Sequence, residues 1–167
     1  ISDCLVGSEM CIRDSVVPGT GIAMQNRGSG FVLDENHPNC VGPSKRPFHT
    51  IIPGFVSEDG RPRMAFGVMG GHMQHQGHVQ MVKRVFEFGQ NPQAAIDAPR
   101  WHVYPDFTIG LESGFDQSIA SQLVDLGHSV RFEKNESVFG GAQLILRSEN
   151  GFVAGSDSRK EGLAAGY

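Results

Sequence analysis

The chain reads as an α+β fold, with helices packed on a mainly antiparallel sheet, and three observations predict it. Strand-like runs open the readable sequence, helical patterns fill its middle, and strands return before its end. Two apolar runs, residues 50–56 and 63–68, flank Ser57-Glu58-Asp59-Gly60, an Asp-Gly turn of the kind that closes an antiparallel hairpin. The second run then meets Gly70-Gly71 and passes into a helical pattern from about Gln74.

The elements follow in order. Val16-Val17 and Gly21-Ile22-Ala23-Met24 read as short strands separated by a Pro18-Gly19 turn. Residues 25–46 are loop-rich, with Pro38, Gly42 and Pro43, and a loop of that length in a compact domain is usually functional or wrapped over a neighbour. After the glycine pair, Val79, Val82, Val85 and Phe86 give an apolar helical stripe, and Phe86 and Phe88 are assigned to the core or its edge. Gly89 stops that helix, and Asn91-Pro92 caps a short helix over residues 93–97, which Pro99 ends. A strand is expected at 107–112, a helix at 116–126, and strands at 129–132, 142–147 and 152–154. Arg100 and Trp101 are read as packing at a sheet–helix junction, with no chemistry assigned.

Composition sets limits. A chain of 167 residues can build one domain with a real core, and a net charge of −4 leaves no basic surplus for nucleic acid or an anionic membrane. No apolar run approaches the roughly 20 residues of a spanning helix. Cys4, Cys11 and Cys40 are odd in number and lack metal-ligand spacing, so they imply neither a disulfide framework nor a compartment.

The stretch with most chemical content is Met64-Ala65-Phe66-Gly67-Val68-Met69-Gly70-Gly71-His72. Adjacent glycines let the backbone turn sharply and approach a bound group closely. Amide N–H groups at a helix entrance are unpaired and carry partial positive charge, so they suit a developing oxyanion. A plain strand-to-helix turn is the competing reading.

Five segments now point one way. Pro18-Gly19-Thr20-Gly21-Ile22, Gly42-Pro43-Ser44-Lys45-Arg46-Pro47, Val68-Met69-Gly70-Gly71, Ala95-Ile96-Asp97-Ala98-Pro99-Arg100 and the C-terminal run from Gly155-Ser156-Asp157-Ser158-Arg159 to Tyr167 stand in the order found in small subunits of γ-glutamyltransferases. The resemblance covers residues 15–167. It implies an N-terminal-nucleophile hydrolase fold, a four-layer αββα sandwich, in a proenzyme that cleaves itself and exposes a threonine nucleophile. It also implies acyl transfer or amide hydrolysis on glutathione-like γ-glutamyl substrates, with Gly70 and Gly71 as the oxyanion donors. The partners implied are the large subunit of the same proenzyme and a small-molecule γ-glutamyl or related acyl substrate. Neither nucleic acid nor membrane is expected as a partner.

Departures from that pattern matter as much. The family's Thr-Thr-His-type segment is absent, so no residue present is the nucleophile, and the chain as written is expected to be inactive. Residues 1–14, ISDCLVGSEMCIRD, resemble a translated sequencing-adapter peptide and are expected to be a non-native artefact, leaving 15–167 as a small-subunit-like domain incomplete at its N-terminus. Removal of leading strands would bare sheet edges and make the chain marginally stable or prone to aggregate. Localisation stays open between bacterial cytoplasm and periplasm.

The substrate-binding positions also differ. Where the family places a glutamine and an acidic residue for the substrate's α-ammonium, this chain has Arg27 and Gly30, and the serine pair for the α-carboxylate falls at His49 and Thr50. Exchanging a carboxylate for a guanidinium disfavours an ammonium and favours a carboxylate. That pattern resembles the cephalosporin-acylase branch, whose members prefer acyl groups such as glutaryl. A solvated loop charge is the plainer reading of Arg27. A non-catalytic binding or structural homologue is the other class kept open.

His72, His75 and His78 lie three apart but drift round a helix axis without an acidic or cysteine partner. They are read as the rim of an acyl pocket, and no metal or cofactor is assigned. His49 has no Gly-x-Ser-x-Gly serine to serve. Asp157 and Arg159 are read as an ion pair fixing the C-terminal turn.

Overall fold

The structure is a computed structural model and describes residues 16–22 and 27–166. Residues 1–15, with the artefact assigned to 1–14, Ala23 and Met24 of the second expected strand, and Tyr167 lie outside the described residues, as does the side chain of Arg27.

The Asp59-Gly60 turn behaves as its chemistry requires. Both residues take positive φ, 50° and 74°, and join β1 (Gly54–Glu58) to β2 (Arg61–Met69) antiparallel. Along β2, Met64, Phe66 and Val68 alternate into the core. The chain then makes a short 3₁₀ turn, Gly71–Met73, and enters α1 (Gln74–Val82), which ends in a π-helical turn, Lys83–Glu87. Asn91 accepts a hydrogen bond from the Ala94 N–H and Pro92 fills the first position of α2 (Pro92–Asp97), the capping expected from sequence.

The strands β3 (Trp101–Val103) and β4 (Ile109–Leu111) follow, then α3 (Gln117–Asp125), whose N-cap Asp116 accepts from Ser118 N–H. The chain closes with β5 (Val130–Phe132), a 3₁₀ turn at Glu136–Phe139, β6 (Gly141–Ser148) and β7 (Gly151–Ser156). One sheet has the order β1-β2-β6-β7, all antiparallel, and the second has the order β3-β4-β5, with β4 and β5 parallel. The core lies between the first sheet and the α1–α2 layer, where Met64, Phe66, Val68, Ala142 and Leu144 meet Met73, Met81, Val85, Ala95 and Ile96. The fold class is α+β, as the element order implied.

One expectation needs correction. Val79 and Phe86 are exposed, as is Phe88, while Gly77, Gln80, Met81 and Arg84 turn inward. The helix approaches β2 so closely that a Cβ on Gly77 would lie 2.7 Å from Val68 Cγ1, and its inward polar groups meet backbone partners described below. Trp101 lies in β3, where its backbone meets Gln80 of α1 at a sheet–helix junction, as expected. None of the described helices is long and apolar enough to cross a membrane.

Candidate active site

The site is built at the end of β2. Its ladder with β6 ends at the Met69–Gly141 pair, and the next residues, Gly70 and Gly71, take φ of 157° and 59°. No residue with a Cβ adopts the second value without strain, and Gly70 is further held by what it touches. A Cβ on Gly70 would lie 3.2 Å from Gly140 Cα, and one on Gly140 (φ 68°) would overlap the Met69 carbonyl oxygen. Two glycine-bearing backbones therefore pack directly on each other.

The first bond of the helical segment runs from Met73 N–H to Gly70 O at 3.2 Å. The amides of Gly70, Gly71 and His72 precede it, at the positive end of the helix. Among the described residues no atom stands within 4 Å of where a Gly71 Cβ would be. This geometry can present backbone donors to a developing anion.

Gly140 is fixed from behind by ions. Asp157 Oδ2 accepts from Ala142 N–H at 2.6 Å and from Arg100 Nη2, while Arg100 Nη1 donates to Phe139 O at 3.0 Å. Both side chains are fully buried. Burial by itself would raise the Asp157 carboxyl, but the bonds from Arg100 and the Ala142 amide hold it below its ordinary value. Arg159 donates to both carboxylate oxygens of Glu112 and to Asp157 Oδ1, so the expected Asp157–Arg159 contact, at 3.1 Å, is one edge of a larger network. Arg84 donates to the carbonyls of Ala95, Ala98 and Pro99. Burial, followed by the positive charges of Arg100 and Arg159, lowers its pKa to about 10. Sequence reasoning misses this buried pairing, because the bond from Arg100 to Phe139 O spans 39 residues of chain that carry no local pattern.

The histidines divide. His72 and His75 are exposed, whereas His78 is half-buried and its Nε2 accepts from Val68 N–H at 3.1 Å. Burial, then the charge of His75, lowers its pKa. Among the described residues no three His, Cys, Asp or Glu side chains are grouped to hold a metal.

The expected substrate residues lie in the segment before β1. Arg27–Gly30 forms a 3₁₀ turn, and Asn39 links it to the later chain by donating to Gly30 O at 2.5 Å and accepting from Phe48 N–H at 3.2 Å. Gly30 and His49 are thereby brought near one another. His49 is exposed, with its Nδ1 accepting from Ile51 N–H at 3.1 Å, and Thr50 is buried. The antiparallel register, Gly54 opposite Phe66, carries the residues before Gly54 toward the end of the sheet where Gly70 lies.

Comparison with known proteins gives the chain a family. The family model described as gamma-glutamyltranspeptidase matches residues 13–167. The glutathione hydrolase-like YwrD proenzyme of Bacillus subtilis is 39% identical over 154 residues, 88% of this chain and 29% of its own. The oxamate amidohydrolase proenzyme of Klebsiella pneumoniae is 38% identical over 160 residues, 91% of this chain and 30% of its own. The crystal structure of cephalosporin acylase from Bacillus halodurans superposes with a TM-score of 0.87 at 48% identity, covering 91% of this chain and 29% of that one. The chain thus spans less than a third of the length of these relatives.

Proposed function

Because the chain belongs to the γ-glutamyltranspeptidase family, we propose that it supplies the oxyanion-binding part of an N-terminal-threonine acyltransferase or amidohydrolase, with residues 15–167 as the small-subunit-like domain. The observation that carries this is the Gly70-Gly71 turn, with its positive φ values and its amides ahead of the helical ladder. A threonine upstream of this chain attacks the amide carbonyl, and its α-amine takes the hydroxyl proton and passes it to the leaving amine. The carbonyl oxygen gains its charge against the glycine amides. Water or an amine then releases the acyl group.

The partner is the rest of the proenzyme. Phe55, Ile145 and Phe152 stand exposed on one face of the first sheet, opposite Ala65, Ala154 and Arg147 in the ladder, and that face supports a further sandwich layer packing there.

A second reading has its own support, in which the acyl group lacks an α-ammonium. Arg27 and Gly30 stand where an ammonium would require an acid, and two of the similar proteins are named for oxamate amidohydrolase and cephalosporin acylase activity. Oxamate bears a carboxylate beside its amide and no ammonium.

The test is an assay of the intact, matured gene product on γ-glutamyl and glutaryl anilides. Gly71→Ala is expected to lower kcat about a hundredfold. Turnover of the glutaryl anilide alone favours the second reading. No turnover of either, from a protein carrying a free N-terminal threonine, rejects both in favour of a binding role.

A further inference from the structure

Helix α1 lies between the two sheets and joins both through side chain to backbone bonds. On one flank is β3, the edge strand of its sheet. Arg100 pairs with Glu112 and Tyr104 with Thr108 by backbone bonds, so the N–H and C=O groups of Trp101 and Val103 point away from β4. Two glutamines satisfy them. Gln76 Nε2 donates to Val103 O at 3.0 Å and its Oε1 accepts from Val103 N–H at 2.7 Å. Gln80 repeats the pattern on Trp101, at 2.9 and 3.2 Å.

The spacing explains the fit. Four helical residues rise about 6 Å and two strand residues about 6.6 Å, so side chains at i and i+4 match backbone groups at i and i+2. Each primary amide, holding a donor and an acceptor, does the work of one residue of a neighbouring strand. On the other flank β1 has its last pair with β2 at Phe66, and His78 meets the next outward N–H, that of Val68.

We propose that Gln76 and Gln80, with His78 opposite, are positioning residues that hold α1 at a fixed angle between the sheets and so aim the Gly70-Gly71 amides at the reacting carbonyl. This rests on the oxyanion reading of the turn. The helix follows that turn after one 3₁₀ turn, so a tilt of α1 moves the amides directly.

Gln76→Glu in the intact, matured protein tests it. A carboxylic acid matches the amide in shape and retains a donor and an acceptor, whereas a carboxylate has no donor and faces the Val103 carbonyl. Partial burial and that carbonyl act to raise its pKa from the usual value of about 4.3, while the Val103 N–H and the first turn of the helix act to lower it. The ratio of variant to wild-type kcat should therefore fall about ten- to hundredfold at about pH 8 and recover as the pH is lowered, with KM nearly unchanged. Gln76→Met, similar in length and without either group, should show the loss without the recovery.

Amide exchange at Met73 and Gln74 gives a readout that needs no activity. It should quicken in Gln76→Glu at the higher pH only. A flat kcat ratio near one with unchanged exchange overturns the positioning role while leaving the oxyanion reading intact. A wild type with no turnover rejects the oxyanion reading, and unchanged exchange then rejects the positioning of the turn as well.

Discussion

Gly70 and Gly140 touch backbone to backbone, with 3.2 Å between Gly140 Cα and the point where a Gly70 Cβ would stand. The contact couples the turn after β2 to the turn before β6, two segments that meet in space through the ladder ending at Met69 and Gly141.

Gly140→Ala should be more damaging to stability than Gly71→Ala. Both positions have positive φ, which costs an L-residue about 1–3 kcal/mol. Gly71 has nothing among the described residues within 4 Å of an added Cβ and should show that cost alone. At Gly140 the added carbon overlaps the Met69 carbonyl, and backbone cannot step aside as a side chain can, so a further loss of about 1–3 kcal/mol is expected. Denaturant unfolding of the two variants measures the difference, and equal losses would show that the turn relaxes freely.

Asp157→Asn should cost about 3–5 kcal/mol, because it leaves the fully buried Arg100 without its counter-charge. Replacing Arg100 and Asp157 together by apolar residues should cost less than Asp157→Asn alone. The pH dependence has a definite sign. The folded pKa of Asp157 lies below the unfolded value of about 3.9, so its contribution is complete above that pH and is lost as pH falls through the folded value. Acid unfolding curves of wild type and the double variant should converge at low pH.

Much of this architecture is legible in local sequence. The Asp59-Gly60 hairpin, the Asn91 and Asp116 caps and the Gly70-Gly71 turn each follow from a few adjacent residues whose conformational preferences agree. What escapes a linear reading is set by distant partners. The three-residue strand β3 has little apolar pattern, and it is held by β4 on one edge and by Gln76 and Gln80 on the other. Gln80 and Arg84 look like solvent-facing positions until their backbone partners are seen, and their burial displaces Val79 and Phe86 to the surface. The αββα sandwich and the partner come from family resemblance, since four layers cannot be read from periodicity.

His78 should make stability fall in mild acid. Its Nε2 must be unprotonated to accept from Val68 N–H, and its folded pKa lies below the unfolded value of about 6.5. Its contribution is therefore complete above about pH 6.5 and is lost as pH drops through the folded value. His78→Phe, which keeps a ring against Phe66, should lower Tm at neutral pH and flatten its decline toward about pH 5. Parallel Tm–pH curves for wild type and variant would assign the acid sensitivity to other groups, among them His102, whose pKa is also lowered by burial and by His75.

Gly30→Asp tests whether the segment before β1 selects the acyl group. The position accepts the change sterically, since among the described residues an added Cβ meets only Phe48 O at an ordinary 3.6 Å and φ is not in the left-handed region. An aspartate there supplies the charge that an α-ammonium requires, and it offsets the guanidinium of Arg27 three residues earlier. The kcat/KM ratio of γ-glutamyl to glutaryl anilide should rise at least about tenfold, equivalent to about 1.4 kcal/mol. Arg27→Gln combined with Gly30→Asp should raise it further, because the repulsive charge is removed as well as the attractive one added. An unchanged ratio in both variants would mean that this segment does not face the substrate's α-carbon, and acyl selectivity would then have to be sought at His49 and Thr50.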